Sequence, residues 1–351
     1  MAKIIDFPTA TPQEMMAINE VVFANVINDG ELSSLVDIRE GVKSGDRLAW
    51  VNPLSLIGKP SRGCEPVSDT ATADLVEKTW DLQEFDVRIE QCYADLEEIL
   101  YSLGLKDGIE RGDLTGTEYA MFLETLVTNA LDKMYKRLVF FGDKTAEHIT
   151  DGGHITDTVD VDYFTIIDGV FKQIATMIAG AEAVVVTTIA ANAEATKAAQ
   201  MAYSWDPIAI LQAAILNANV AIEGEDDPVI YVTRFFMAKL KAKMLSLPQY
   251  TESQFSKNEL GFNTVTFLGH TITEMKEWDE QIIANHSGTT YYKPFRALYT
   301  TKKNLKVGVP SLSTFKVLKA WYENKDRKYY IDAMDKLDCI VMRPELVSIA
   351  W

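Results

Sequence analysis

Cysteine is scarce: three residues, Cys64, Cys92 and Cys339, scattered over 351 positions. An odd, dispersed set does not make a disulfide framework, and with no CxxC pair it does not suggest a zinc site. Folding in a reducing cytoplasm fits this usage best. No apolar run approaches the ~20 residues that cross a bilayer. The opening MAKIIDFPTA has no long apolar core or small-residue cleavage pattern, so secretion is not expected. GxGxxG, GxxxxGK[ST] and GxSxG are all absent, which removes the usual nucleotide and nucleophile-elbow signatures. Cys64 and Cys92 have no evident histidine partner, so nucleophilic catalysis has no support. Positive charge is also short. The net charge is -17, and residues 1–160 hold 30 Asp and Glu against 14 Lys and Arg. Such a balance disfavours direct contact with nucleic-acid phosphates.

What is present is a folded chain of ordinary composition, 47% apolar and 24% charged, long enough for two or three modules with real cores. The clearest element runs from Thr117 to Asp143. Tyr119, Phe122, Leu123, Leu126, Val127, Ala130, Leu131, Met134, Tyr135 and Leu138 share one helical face. Thr115 with Glu118 reads as a capping box, Gly142 as a stop, and Lys133, Lys136 and Arg137 as complements to the dipole. Such a helix spans roughly 35 Å at ~1.5 Å per residue.

Before it, residues 1–35 read as an arm with a short helix through 13–26 and no core of its own. Residues 36–80 are punctuated by Gly41, Gly45, Pro53, Gly58, Pro60, Gly63 and Pro66. Two strand-like pieces, 47–51 and 75–80, flank that tip and are expected to pair as a projecting β-ribbon. Isolated ribbons are only marginally stable, so this one needs a neighbouring molecule to lie on. A strand through Trp80–Ile89 and a helix through 93–104 lead to the long helix. After it come a polar loop at 143–162 and a helix at 163–179. A mixed module follows: a strand at 183–189, helical segments at 190–203 and 208–222, a turn at 223–228, a strand at 229–232, and a helix at 234–247 capped by Thr233. Strand-like pieces at 260–272 and 304–309 complete it. Near the end, 329–333 and 338–342 read as a strand pair around an acidic turn at 335–338.

Several segments, in this order, resemble the major capsid protein of tailed double-stranded DNA bacteriophages. They are KTWDLQEFDVRIEQC at the ribbon's re-entry, FFGDKT after the long helix, and YFTIIDGVFKQI beyond it. DPVIYVTRFFMAKLK, VTFLGHTI and LYTTKKNLKVGV follow. The resemblance implies an α+β, Hong Kong 97-type fold. Its parts would be an N-terminal arm (1–35), an extended loop (36–80), a peripheral domain (81–180 and 311–351) with the spine helix at 117–141, and an axial domain (181–310). It implies a non-enzymatic shell protein without cofactors or metals. Copies would form pentamers and hexamers of an icosahedral head around DNA, without sequence-specific binding or membrane contact. Acidic walls suit such a container. The implied location is the virion, after assembly in the host bacterial cytoplasm, with portal, scaffold and possibly decoration proteins as partners. The chain begins almost directly at the arm, so a scaffold is expected as a separate protein. Lys59 has no evident acceptor, so cross-linking is not expected.

Candidate inter-subunit contacts are Arg47, Trp50, Lys59, Arg62 and Trp80, the loop's positive charges and its two tryptophans. Packing of Trp50 and Trp80 within their own domain is an equal alternative. Two other functions are compatible with the sequence. One is an encapsulin-type nanocompartment shell. The other is a metal-dependent enzyme using the 147–162 loop, where His148, Asp151 and His154 stand in an HxxDxxH spacing beside Glu147. That spacing lacks the helical HExxH geometry and a third ligand, so a solvated loop is the expectation. Asp160-Val161-Asp162 is expected to cap the following helix, and Glu223–Asp227 to be a solvated turn.

Overall fold

The computed structural model describes residues 32–51, 75–92, 118–247, 255–257, 263–311, 319–323, 325 and 328–351, with 91–92, 118–126, 255–257, 320, 322 and 329 described for the backbone only. The expected helices at 13–26 and 93–104, the Thr115 cap and the loop tip lie outside these residues.

The long helix, α1 (Glu118–Phe141), stands as expected. Val127, Leu131, Tyr135 and Leu138 are buried at helical spacing, and Val139, Phe140 and Phe141 are buried too. The last turn is therefore enclosed on every side. Its basic residues do more than complement the dipole. Lys133 pairs with Glu280 at 2.8 Å, and Lys136 forms a buried pair with Glu277 at 3.0 Å. Both acids lie on one helix packed against α1.

Beneath α1 lies a five-stranded sheet. It contains β1 (Asp37–Arg39), β4 (Gln83–Cys92), β11 (Leu305–Gly308), β12 (Lys319–Glu323) and β13 (Lys328–Val341). The acidic turn expected at 335–338 is not a turn: 328–341 is one unbroken strand. The period-2 pattern explains it. Ile331, Ala333, Asp335, Leu337, Cys339 and Val341 are all buried, and strand side chains alternate between faces. The two acids are absorbed by hydrogen bonds. Asp335 accepts from the Tyr135 hydroxyl at 3.3 Å, and Asp338 accepts from the amides of Asp81 and Cys339, each at 2.8 Å.

The expected helix at 163–179 is shorter. A 3₁₀ turn at Val161–Tyr163, capped by Asp160, precedes an irregular bend, and α2 (Val170–Ala179) starts only after Gly169. The physical reason is proximity. The Gly169 amide donates to Gly142 O at 2.9 Å, and the Asp143 amide donates to Phe164 O at 2.8 Å, so this segment binds the end of α1 instead of coiling on itself.

Seven further strands form a second sheet. Its order is β5 (Val185–Thr187), β14 (Ser348–Ala350), β10 (Ala297–Thr301), β6 (Pro228–Thr233), β9 (His270–Met275), β8 (Asn263–Phe267) and β7 (Phe255–Lys257). Two expectations change here. The strand-like 260–272 piece is instead a hairpin turning at Leu268-Gly269. The chain's last strand, grouped by sequence with 81–180, lies between β5 and β10 of this sheet. Both sheet faces are buried. Tyr231, Leu298 and Ile349 join the core around α1 and α2. Their neighbours Ile230, Val232, Ala297, Tyr299 and Ala350 join a second core. Strands buried on both faces read as continuous apolar runs, as DPVIYVT does; AVVVTTI, expected in a sheet's interior, instead supplies the edge strand β5, where Val186 is 41% exposed.

Five further helices cover the sheet: α3 (Lys197–Ala202), α4 (Pro207–Leu216), α5 (Ala221–Gly224), α6 (Arg234–Leu245) and α7 (Lys276–Asn285). The helical expectations at 190–203 and 208–222 thus break into shorter pieces. Asp206 caps α4, with Pro207 at its first turn. Thr233 caps α6 as expected, accepting from the Phe236 amide at 3.4 Å. Asp279 of α7 adds a second cap the sequence did not show, accepting from the amides of Arg234 (2.5 Å) and Phe235 (3.0 Å).

Candidate functional site

The projecting ribbon is built as its sequence suggests. β2 (Arg47–Val51) pairs antiparallel with β3 (Leu75–Thr79), from Arg47 opposite Thr79 to Val51 opposite Leu75. Among the described residues these two strands form a sheet of their own. The root is tied to the body. Trp80 exchanges backbone hydrogen bonds with Gly45 (2.8 Å) and Asp46 (2.9 Å). Lys78 Nζ donates to Val341 O at 2.7 Å. Burial lowers the Lys78 pKa, while Glu182 and Glu345 work against that shift.

Away from the root the ribbon is apolar and open. Val51 is 61% exposed, its cross-strand partner Leu75 58% and Val76 36%. A solvent-exposed apolar pair across a two-stranded sheet is an unfinished contact. A cleft of about 480 Å³ is lined by Leu48 and Trp50 together with Arg39, Lys303, Lys306 and Arg343. Its walls are cross-braced: Lys306 pairs with Asp37, Lys303 with Asp226 at 2.7 Å, and Arg343 with Glu225 at 3.1 Å. Glu225 and Asp226 therefore do more than occupy a solvated turn.

The candidate contact residues fare differently. Arg47 is exposed and pairs with Glu77 of its own ribbon at 3.0 Å. Pairs of this kind contribute ~0–1 kcal/mol and leave the charge available to a neighbour. Trp50 is half-buried in the cleft wall. Lys59 and Arg62 lie outside the described residues. Trp80 is a correction. It is 2% exposed and packs with Val42, Leu48 and Ile340, with its ring against the backbone of Gly308. An indole enclosed this way cannot reach a neighbour, and the alternative of packing in its own domain holds. Trp80→Ala is expected to lower subunit stability by about 3–5 kcal/mol through loss of the ribbon's anchor. Urea unfolding of the unassembled chain measures this. A change below about 1 kcal/mol would show that the root does not depend on the indole. Sequence reasoning missed Val51, Leu75 and Val76, because LVEKT has no period-2 alternation that would separate a covered face from an open one.

The 147–162 loop does not gather its histidines. His148 Nε2 lies 2.9 Å from Val159 O, and its Nδ1 is 4.0 Å from Asp151. His154 instead stacks on Tyr292 with ring centroids 4.0 Å apart. Among the described residues no group of three His, Cys, Asp or Glu is placed to hold a metal ion. Burial, reinforced by Arg296, lowers the His154 pKa to about 4. Its folded value lies below the ordinary 6.5. Stability that depends on the neutral ring is therefore present above pH 6.5 and is lost as pH falls towards 4. Burial raises Asp279 to about 7 and Asp338 to about 6, so these groups act in the opposite sense over part of that range. The difference between wild type and His154→Gln isolates the ring. Between pH 7 and 5 the wild type is expected to lose about 1–2 kcal/mol more than the variant, read from urea midpoints.

No family model matches the sequence, and no curated protein matches it. Solved structures do. The chain is similar to a structure from Gordonia phage Cozz (TM-score 0.53, 9% identity, covering 94% of this chain and 91% of that one). It is similar to the capsid of the native GTA particle (TM-score 0.51, 8% identity, 99% and 95% covered). It is also similar to the cyanophage A-1(L) capsid asymmetric unit (TM-score 0.50, 10% identity, 93% and 96% covered). The chain has the Hong Kong 97-type capsid fold. The coverage is nearly complete on both sides, so the likeness includes both sheets and α1. At this identity the likeness concerns the capsid fold and not any individual residue.

Proposed function

We propose that this chain is the major shell protein of a tailed-phage head. It self-assembles as pentamers and hexamers into an icosahedral container for double-stranded DNA. The observation that carries the reading is a capsid fold with a two-stranded ribbon that pairs with no other strand among the described residues and exposes Val51 and Leu75. In a closed symmetric assembly each copy offers the same patch to the next, so one unfinished contact is completed throughout the shell. The acidic balance of residues 1–160 suits a wall that does not hold its polyanionic contents, and it leaves packaging without sequence-specific contact. Arm, extended loop, peripheral and axial parts are proposed over the ranges given above, with two strands crossing that division: Leu305–Gly308 lies in the five-stranded sheet and Ser348–Ala350 in the seven-stranded one. Portal, scaffold and decoration proteins are the proposed partners, and the virion the proposed location.

The experiment is expression of the full chain, with and without a scaffold supplied by the same genome, followed by negative-stain microscopy. Rings, capsomers or shells are expected. A protein that stays monomeric at high concentration under both conditions overturns the reading. Shells that enclose a protein cargo and exclude DNA would replace the head with a nanocompartment.

A further inference from the structure

Where α1 ends, the 286–296 loop brings together more positive charge than the chain neutralises. Arg296 is 1% exposed. Its Nε donates to Lys293 O at 2.9 Å and one terminal nitrogen to Tyr292 O at 3.0 Å. Its guanidinium lies over the rings of Phe171 (4.4 Å) and Phe141 (5.1 Å). Those rings stabilise the cation in part, but no described carboxylate forms an ion pair with it. The nearby acids are occupied. Asp143 is held by Lys172 at 2.8 Å and by Thr145, and Asp279 accepts the two amides at the start of α6. Lys293 adds another cation, its Nζ 3.4 Å from the centroid of the Trp351 ring.

His286 sharpens the imbalance. It is 1% exposed, and neither ring nitrogen has a hydrogen-bond partner among the described residues. A buried imidazole carries a donor and an acceptor, and leaving such groups unpaired costs about 1–3 kcal/mol each. The ring faces a cavity of about 130 Å³ also lined by His154, Lys172, Tyr292, Arg296 and Trp351. That volume exceeds the ~30 Å³ share of one water several-fold. Buried charges in proteins are normally paired, and here the pairing group is missing from the chain's own side chains.

We propose that this cavity is a binding site for a small oxyanion of the phosphate or sulfate class, held by Arg296, His286 and His154. The anion neutralises the guanidinium and gives the His286 ring its partner. It ties the end of α1 to the loop that leads into β10. The inference does not depend on the shell reading. The positive field of Arg296 is already felt locally: after burial, it is the next cause lowering His154 and Lys293.

The test uses the full chain and inorganic phosphate, titrated against sodium chloride at matched ionic strength and pH 7. A saturable rise in melting temperature is expected, about 5 °C at a hundred-fold excess over the dissociation constant. Of the four histidines, the ring resonances of His154 and His286 should move and those of His148 and His270 stay. Arg296→Gln is expected to abolish both effects. Because that variant can fail to fold, His154→Gln at the half-buried mouth serves as the second, with a loss of affinity of at least ten-fold. A melting shift reproduced by chloride overturns the site. So does a phosphate effect that persists in His154→Gln with the His286 resonances unmoved.

Discussion

Removing residues 55–70 is expected to leave a folded subunit that no longer closes shells. The excision falls beyond the described ribbon, whose last pair is Val51 with Leu75. It spares the root, where Trp80, Leu48, Val42 and Ile340 pack together and Lys78 holds Val341 O. The described packing of the root lies outside the excision, so circular dichroism and the urea midpoint of the unassembled chain should stay near wild type. Assembly should not survive, because the proposed bridge to the neighbour is gone. The same logic gives a point variant. Fully burying a Leu side chain contributes ~1.5–3 kcal/mol. Leu75→Asp, at a position 58% exposed in the subunit, should leave folding untouched and raise the concentration needed for assembly by an order of magnitude or more. Shells of normal size and heat resistance from either variant would mean that the ribbon does not join subunits.

Gly169→Ala should damage the subunit itself. A Cβ there would stand 2.7 Å from Leu138 O, 2.8 Å from Gly142 N and 2.8 Å from Val139 O. These are backbone atoms of the last turn of α1 and its stop, and they cannot swing aside. Gly142 is the reciprocal case, with a Cβ 2.5 Å from both Ile167 O and Leu138 O. The two glycines let α2 begin against the end of α1, which seats Phe171 5.2 Å from Phe141 and 4.9 Å from Trp278. Forcing this junction apart should cost about 3 kcal/mol, with a corresponding fall in soluble yield. Gly224→Ala, which meets nothing within 4 Å, is the control and should be close to neutral. Equal urea midpoints for the two variants would show that the close approach is not needed.

Much of the fold was legible because its signals are local. α1 declared itself by apolar spacing and a glycine stop, and the ribbon by two strand-like pieces around a Gly/Pro tip. Thr233 announced the start of α6 by capping chemistry that depends on adjacent residues. The readings that failed depended on distant partners. Asp335 and Asp338 looked like a turn because acids in an apolar context favour solvent. Tyr135 and the amides of Asp81 and Cys339 supply what solvent would have given. Tyr163–Gly169 had helical spacing, yet the end of α1 took its hydrogen bonds. Ser348–Ala350 has no local feature that selects one sheet over another; the open slot between β5 and β10 selects it.

The candidate surface divides in the same way. The sequence alone marked the two strands that pair as the ribbon, 47–51 and 75–79, and a net charge of -17. It could not choose between the two roles of Trp80, because an indole is equally suited to an interface and a core. Only the tertiary structure decided, by bringing the bare backbone of Gly308 against that ring and leaving Val51 and Leu75 without cover. The reason is general. Periodicity and capping are properties of neighbours in the chain, whereas burial depends on what the rest of the chain places opposite a residue.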